Sequence, residues 1–147
     1  MGAFSDQLTA WAKATEKRTE AVYRRSVELL ADEMSRTKAN GGRVPVDTGN
    51  LYRSLLASKQ AMPRTAAGPF PGFDIGAITA SLKMSEPVFI GYQAIYSRVA
   101  NYGFVGADKL GRVHNREGNY FVEGAIAQWP QIVAKAAKEV ESGAAKK

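Results

Sequence analysis

His114 is the only histidine in this 147-residue chain, and there is no cysteine, so the commonest transition-metal ligands and the thiol nucleophile are nearly absent. A Ser-His-Asp triad would have to use His114, which lies between Val113 and Asn115 in a charged, glycine-containing stretch. Triads need rigidly held partners, and this stretch reads as an exposed loop. Gly106 to Val113 copies the glycine spacing of a phosphate-binding loop, but Arg112 stands where the lysine belongs and Val113 where the magnesium-binding hydroxyl belongs. No strand is expected before it. Asp47, Asp74 and Glu86 are scattered, with no spacing that pairs them as acid and base. The inventory points to a protein with no catalytic residues, no cofactor and no metal.

Charge supplies the next signal. Residues 1–36 carry six Lys/Arg and six Asp/Glu, whereas residues 37–72 carry Lys38, Arg43, Arg53, Lys59 and Arg64 against Asp47 alone. Residues 73–147 carry nine basic and seven acidic groups, so the basic excess is concentrated in the second quarter of the chain. Such a patch attracts anionic partners without naming one.

That basic stretch contains Pro45-Val46-Asp47-Thr48-Gly49-Asn50-Leu51-Tyr52-Arg53-Ser54. Asp47 or Thr48 offers a side-chain oxygen to the unpaired N–H groups of a helix start, and Leu51 and Leu55 then share one face. Before it, Phe4, Leu8, Trp11, Thr15, Thr19, Val22, Tyr23, Val27, Leu30 and Met34 recur at helical spacing, with Ser5 or Asp6 available as a cap. A helix of some 32 residues would be about 48 Å long. It is either an overlong core helix or one whose end projects onto a neighbour through Phe4, Leu8 and Trp11. Asn40-Gly41-Gly42 ends it.

Residues 63–72 form a proline-rich loop whose Phe70, with Phe73 beside it, must be pinned to something. Ile75, Ile78 and Leu82 fit a short helix, or a strand. Pro87 to Tyr92 is the clearest strand, and Ile95 to Gly103 reads as a short helix closed by its glycine. Residues 104–118 are expected to be an exposed, mobile loop. A last helix over residues 119–141 would bury Phe121, Ala125, Ile126, Trp129, Ile132, Val133, Ala136 and Val140, with a kink near Trp129 from Pro130. Tyr92, Tyr96, Tyr102 and Tyr120 suit sheet-to-helix packing with wet hydroxyls better than base stacking. The expected architecture is one α+β domain over residues 1–147. A small antiparallel sheet over 45–103, with short connecting helices, is covered by the long N-terminal helix over 1–36 and the C-terminal helix. No apolar run reaches the roughly 20 residues of a membrane span, and residues 1–6 lack a secretion signal, which together suggest action in a cytoplasm.

In this order the chain resembles the minor tail-component proteins of long-tailed phages and prophages, the neck, tail-completion and head–tail joining group. The resemblance rests on Pro45, Val46, Asp47, Thr48 and Gly49 with Leu51 and Ser54. It continues with Ile90-Gly91, Tyr96-Ser97, Val99 and Tyr102-Gly103, and with Phe121-Val122, Ala125 and Trp129 to Val133. Ser97 and Asn101 depart from it, standing where the group often has Ala and Glu. The resemblance implies a virion protein, assembled in the host cytoplasm, that forms a ring with itself and joins other neck or tail proteins. In that setting Phe4, Leu8, Trp11, Phe70 and Phe73 are candidate subunit contacts. Arg43, Arg53, Lys59 and Arg64 would line a DNA channel or meet an acidic partner ring. The competing readings are a free basic nucleic-acid-binding module and, last, a small hydrolase whose site is assembled from distant residues.

Overall fold

The computed structural model describes residues 2–47 and 49–143, and Thr48, with its proposed capping role, lies outside them. Helix α1 (Ala3–Ser35) runs 33 residues. Its start is set by Gly2, whose carbonyl accepts from the N–H groups of Ser5 and Asp6, and no side chain caps it. Ser5 and Asp6 are therefore not the cap that their types suggested. All the buried residues of α1, namely Ser26, Val27, Ala31 and Met34, lie in its C-terminal third.

After α1 a 3₁₀ turn (Lys38–Asn40) and Gly41, at φ 84°, fold the chain back so that Val44 bridges Thr37 and is fully buried. Gly49, at φ 81°, is the cap position of the one-turn helix α2 (Asn50–Arg53), again with no side-chain cap. Leu51 points inward, and the buried Ser54 hydroxyl donates to the Leu51 carbonyl at 2.7 Å. Strand β1 (Leu55–Ser58) pairs antiparallel with β2 (Phe89–Tyr92), Leu55 opposite Tyr92 and Ser58 opposite Phe89. Between them lies α3 (Gly76–Thr79), fastened to α1 by the Thr79 hydroxyl donating to Glu28 at 2.7 Å. Helix α4 (Ser97–Tyr102) ends at Gly103.

The fold is α+β, and the sheet is two separate two-stranded ribbons. The second, β3 (Gly103–Ala107) with β4 (Val113–Glu117), corrects the expectation of a mobile loop over residues 104–118. β4 is polar and largely exposed, and β3 is a glycine-interrupted Gly-Phe-Val-Gly-Ala that is only partly covered, so no clear apolar alternation marks the pair in sequence; backbone pairing and a tip held by Asp108 make the hairpin. A strand therefore does enter the glycine pair Gly106 and Gly111, but it leaves as a second strand. The helix N-terminus that would cradle a phosphate is not formed.

The C-terminal helix is also corrected. It divides at Gln128 into α5 (Phe121–Ala127) and α6 (Trp129–Glu141), and Pro130 sits in the first turn of α6. A proline there lacks only an N–H that has no intrahelical partner, so it starts a helix instead of kinking one. Ile126 and Trp129, expected inside, are 57% and 37% exposed.

The core joins Met34, Val44, Leu51, Phe70, Tyr92, Ala94, Phe121 and Ala125. The Tyr92 hydroxyl donates to the Met34 carbonyl at 2.5 Å, and its ring meets Phe121 edge-on at 5.0 Å. Burial pushes the Tyr92 phenol above its ordinary range, keeping it a neutral donor. Helix α6 lies antiparallel along α1. Arg25 Nε donates to Glu139 at 2.6 Å, and Gln128 Nε2 donates to Glu33 at 2.7 Å. The Arg25 guanidinium holds the Glu139 carboxyl below the usual carboxylate range.

Candidate functional site

The Pro45–Leu51 and Tyr96–Ala100 segments, distant in sequence, meet in space. Pro45, Val46, Asp47, Gly49, Asn50 and Leu51 form one wall of a hollow of about 460 Å³, closed on the other side by Tyr96, Ala100 and Arg116. Behind that wall Asn50 Oδ1 accepts from the Phe70 N–H at 3.0 Å, and Gln93 N–H donates to the Ser54 carbonyl at 3.0 Å. The Pro45–Ser54 segment thus ties the first ribbon, the proline-rich loop and α4 to one point. Arg116 was not singled out in the sequence, and only the pairing of β3 with β4 brings it here.

Phe70 is 8% exposed and belongs to the core, which removes it from the candidate subunit contacts. The loop's fastening to Asn50 turns it inward. Phe73 keeps part of its surface, beside Ile75 and Ile90.

The basic residues go to different neighbours. Lys59 is tied to Glu86 at 3.4 Å and to the Ser81 hydroxyl at 3.1 Å, so much of its charge is spent within the chain. Arg43 lies over Gly124 of α5, where an added Cβ would meet its Nε at 2.6 Å. Arg53 lies by the ring of Tyr52, 5.5 Å from its centroid, and Arg64 is exposed in the proline-rich loop.

Exposed apolar side chains lie in several places, Val105, Leu110 and Val113 on the hairpin and Ile126 and Trp129 on the C-terminal helices among them, and two further groups have helical spacing. The first is the N-terminal half of α1, where Phe4 is 72%, Leu8 50% and Trp11 68% exposed. The second surrounds α4. Ile95, Val99 and Tyr102 follow at i, i+4 and i+7 through the turn and into the helix, and all three are exposed, with Tyr96 and Val46 exposed beside them. Sequence reading took Tyr96 and Tyr102 for packing residues; the signal it passed over was the spacing of Ile95, Val99 and Tyr102.

His114 has a specific place. Its Nε2 is 2.9 Å from Asp108 Oδ2, an oxygen that also accepts from Arg112 Nε at 2.7 Å, while Asp108 Oδ1 accepts from the N–H groups of Leu110 and Arg112. The cluster clamps the hairpin tip. The His114 hydrogen bond, with the Arg112 contacts behind it, lowers the Asp108 carboxyl from 3.8 to about 2. A depressed folded pKa contributes stability that is present above the unfolded value and lost as pH falls through the folded one. The hairpin tip is therefore expected to hold above about pH 4 and to loosen between pH 4 and 2. Asp108→Asn is expected to abolish that acid transition in the β3 and β4 amide resonances, and an unchanged transition in the variant would refute the assignment.

Among the described residues no group of three or more His, Asp and Glu side chains is placed to hold a metal ion, and no helix is long and apolar enough to cross a membrane. The candidate surfaces are an apolar helix arm, an apolar face around α4 and the hollow beside it. No protein-family model, curated protein or solved structure matches this chain.

Proposed function

We propose that this protein is a structural component of a phage virion, a neck or tail-completion subunit that joins head to tail by assembling as a ring. Its work is done by surfaces that fit together, with no bond-making centre. The carrying observation is the N-terminal half of α1, which presents Phe4, Leu8 and Trp11 to solvent and makes none of the hydrogen bonds that fasten its other half to the body. A 33-residue helix is about 50 Å long, far more than its own chain covers. An apolar stripe of this kind needs a partner. The resemblance of the Pro45–Ser54, Ile90–Gly103 and Phe121–Val133 blocks to tail-completion proteins supplies the setting.

The reading is tested on purified capsids, tails and whole particles from a producing host, labelled with antibody to this protein. Label at the junction of capsid and tail is expected, and disruption of the coding sequence is expected to leave unjoined heads and tails. Joined, infectious particles from the disrupted strain, or label in no particle fraction, would overturn it.

A further inference from the structure

Arg116 borders two hollows at once. One is the 460 Å³ hollow, which Tyr96 and Ala100 face from α4; the other, of about 310 Å³, is lined by Val99, Phe104, Asp108 and His114. The Arg116 side chain is exposed and, among the described residues, makes no ion pair and no hydrogen bond. The acid nearest to it in the second hollow is already occupied, because Asp108 accepts from Arg112, from two backbone N–H groups and from the His114 ring. An unspent guanidinium thus lies between two recesses whose walls include the apolar Val46, Leu51, Val99 and Phe104. That arrangement suits a ligand offering one carboxylate with an apolar group on either side of it.

The other charges decide the class of ligand. Asp47 lines the first hollow across from Arg116 and likewise has no partner among the described residues. A polyphosphate backbone drawn to Arg116 would meet Asp47 in one hollow and Asp108 in the other, and like charges repel it. A polypeptide brings one acidic side chain for Arg116 and backbone N–H groups that the Asp47 carboxylate can accept. An extended polypeptide also has the right repeat. It turns residues i, i+2 and i+4 to one side and spans about 13 Å from the first to the last. An acid at the middle position then meets Arg116 while its apolar neighbours enter the two hollows. A helix would turn residues two apart to different faces.

This chain does not carry such a segment free. A large apolar residue stands two places to either side of only three of its acids, Asp6, Asp32 and Glu86. The first two lie within α1, and Glu86 is held by Lys59 and by the Lys83 N–H. We propose that the surface around α4 binds an extended acidic segment of a partner polypeptide, its carboxylate on Arg116 and an apolar side chain in each hollow. The contact would serve a virion joint and a free complex alike, so its failure would leave the neck reading standing.

Amide chemical shifts of the full chain, titrated with the blocked peptide acetyl-Leu-Ser-Glu-Ser-Leu-amide, test the site. Saturable shifts are expected at Val46, Tyr96, Val99 and Phe104, with a dissociation constant of about 1 mM or tighter. Glutamine in place of the central glutamate is expected to weaken binding at least about threefold, and Arg116→Gln to weaken the parent peptide equally. Charge exchange separates a direct contact from a structural effect. Arg116→Glu is expected to lose the glutamate peptide and to bind the same peptide with lysine at its centre, with unchanged circular dichroism. Oligothymidylate at physiological ionic strength is expected to leave these amides unmoved. The proposal would be overturned by no saturable shift at these amides, by equal binding of the glutamate and glutamine peptides, or by an unchanged preference in Arg116→Glu. It would be overturned equally by a stronger response to oligothymidylate. The same amides shifting as the protein is concentrated without peptide would make the occupant a second copy, and would overturn it too.

Discussion

Replacing Phe121 by alanine is expected to bring this protein to the edge of unfolding. Phe121 is 2% exposed, opens α5, and stands edge-on to Tyr92, whose hydroxyl reaches across to the Met34 carbonyl. One ring thus touches the hinge between α1, β2 and the C-terminal helices. Removing a buried phenylalanine costs about 3–5 kcal/mol through lost transfer energy and the cavity left behind. A domain of this kind holds only about 5–15 kcal/mol in total. Urea denaturation should show a midpoint lowered accordingly, with little change in slope. Ile126→Ala, on the same short helix but 57% exposed, is the control and should shift the midpoint by less than about 0.5 kcal/mol. Similar shifts for the two would mean that the core is centred elsewhere.

Gly103→Ala is the second large effect, and its mechanism is backbone geometry. Gly103 ends α4 and begins β3 at φ 84° and ψ 178°, a conformation that side chains rarely adopt. A Cβ there would sit 2.4 Å from the Arg116 carbonyl oxygen and 2.7 Å from the Gly118 nitrogen, both main-chain atoms that no rotamer change can move aside. The strained backbone costs about 1–3 kcal/mol, and the overlap adds to it, so a loss of at least about 2 kcal/mol is expected at the hairpin junction. Hydrogen exchange should report it as faster exchange of the β3 and β4 amides, with the core amides of β1 and β2 much less affected. Gly111→Ala is the comparison. It has φ 79° but open space around the added carbon, so only the left-handed backbone penalty of roughly 1–2 kcal/mol applies. If Gly111→Ala were the more damaging, the Gly103 contact would not be what holds the hairpin to α4.

These two sites differ in how plainly the chain announces them. Phe121 belongs to a helical apolar period, and its burial was expected from that period alone. Gly103 was expected to end a helix, but its second duty, opening a hairpin, was not legible. The hairpin's second strand carries His, Asn, Arg and Glu in a row, and its first is Gly-Phe-Val-Gly-Ala, so neither shows the polar and apolar alternation of a half-buried strand. Backbone pairing across a short turn forms the ribbon without that alternation. The Pro130 error has a similar root. A proline inside a continuous apolar period reads as a kink, and only the break at Gln128 shows that the period belongs to two helices. That Phe70 is pinned was expected from its place in a proline-rich loop, but what pins it was not legible: Asn50, twenty residues earlier, accepts from its N–H, and the core takes its ring.

The candidate surfaces divide in the same way. Phe4, Leu8 and Trp11 were readable as one stripe because helical spacing is a local property, fixed by 3.6 residues per turn. That the stripe is left open depends on where α6 stops. The α4 face and its hollows depend on Arg116, Val46 and Tyr96 arriving from separate segments. From residue order alone came the long amphipathic helix, the Phe89–Tyr92 strand and the α+β class, since propensity and apolar period act over a few neighbouring residues. Tertiary structure alone decided which apolar residues the core accepts and which it leaves outside. That choice follows from the reach and stopping points of whole elements, which no local period contains.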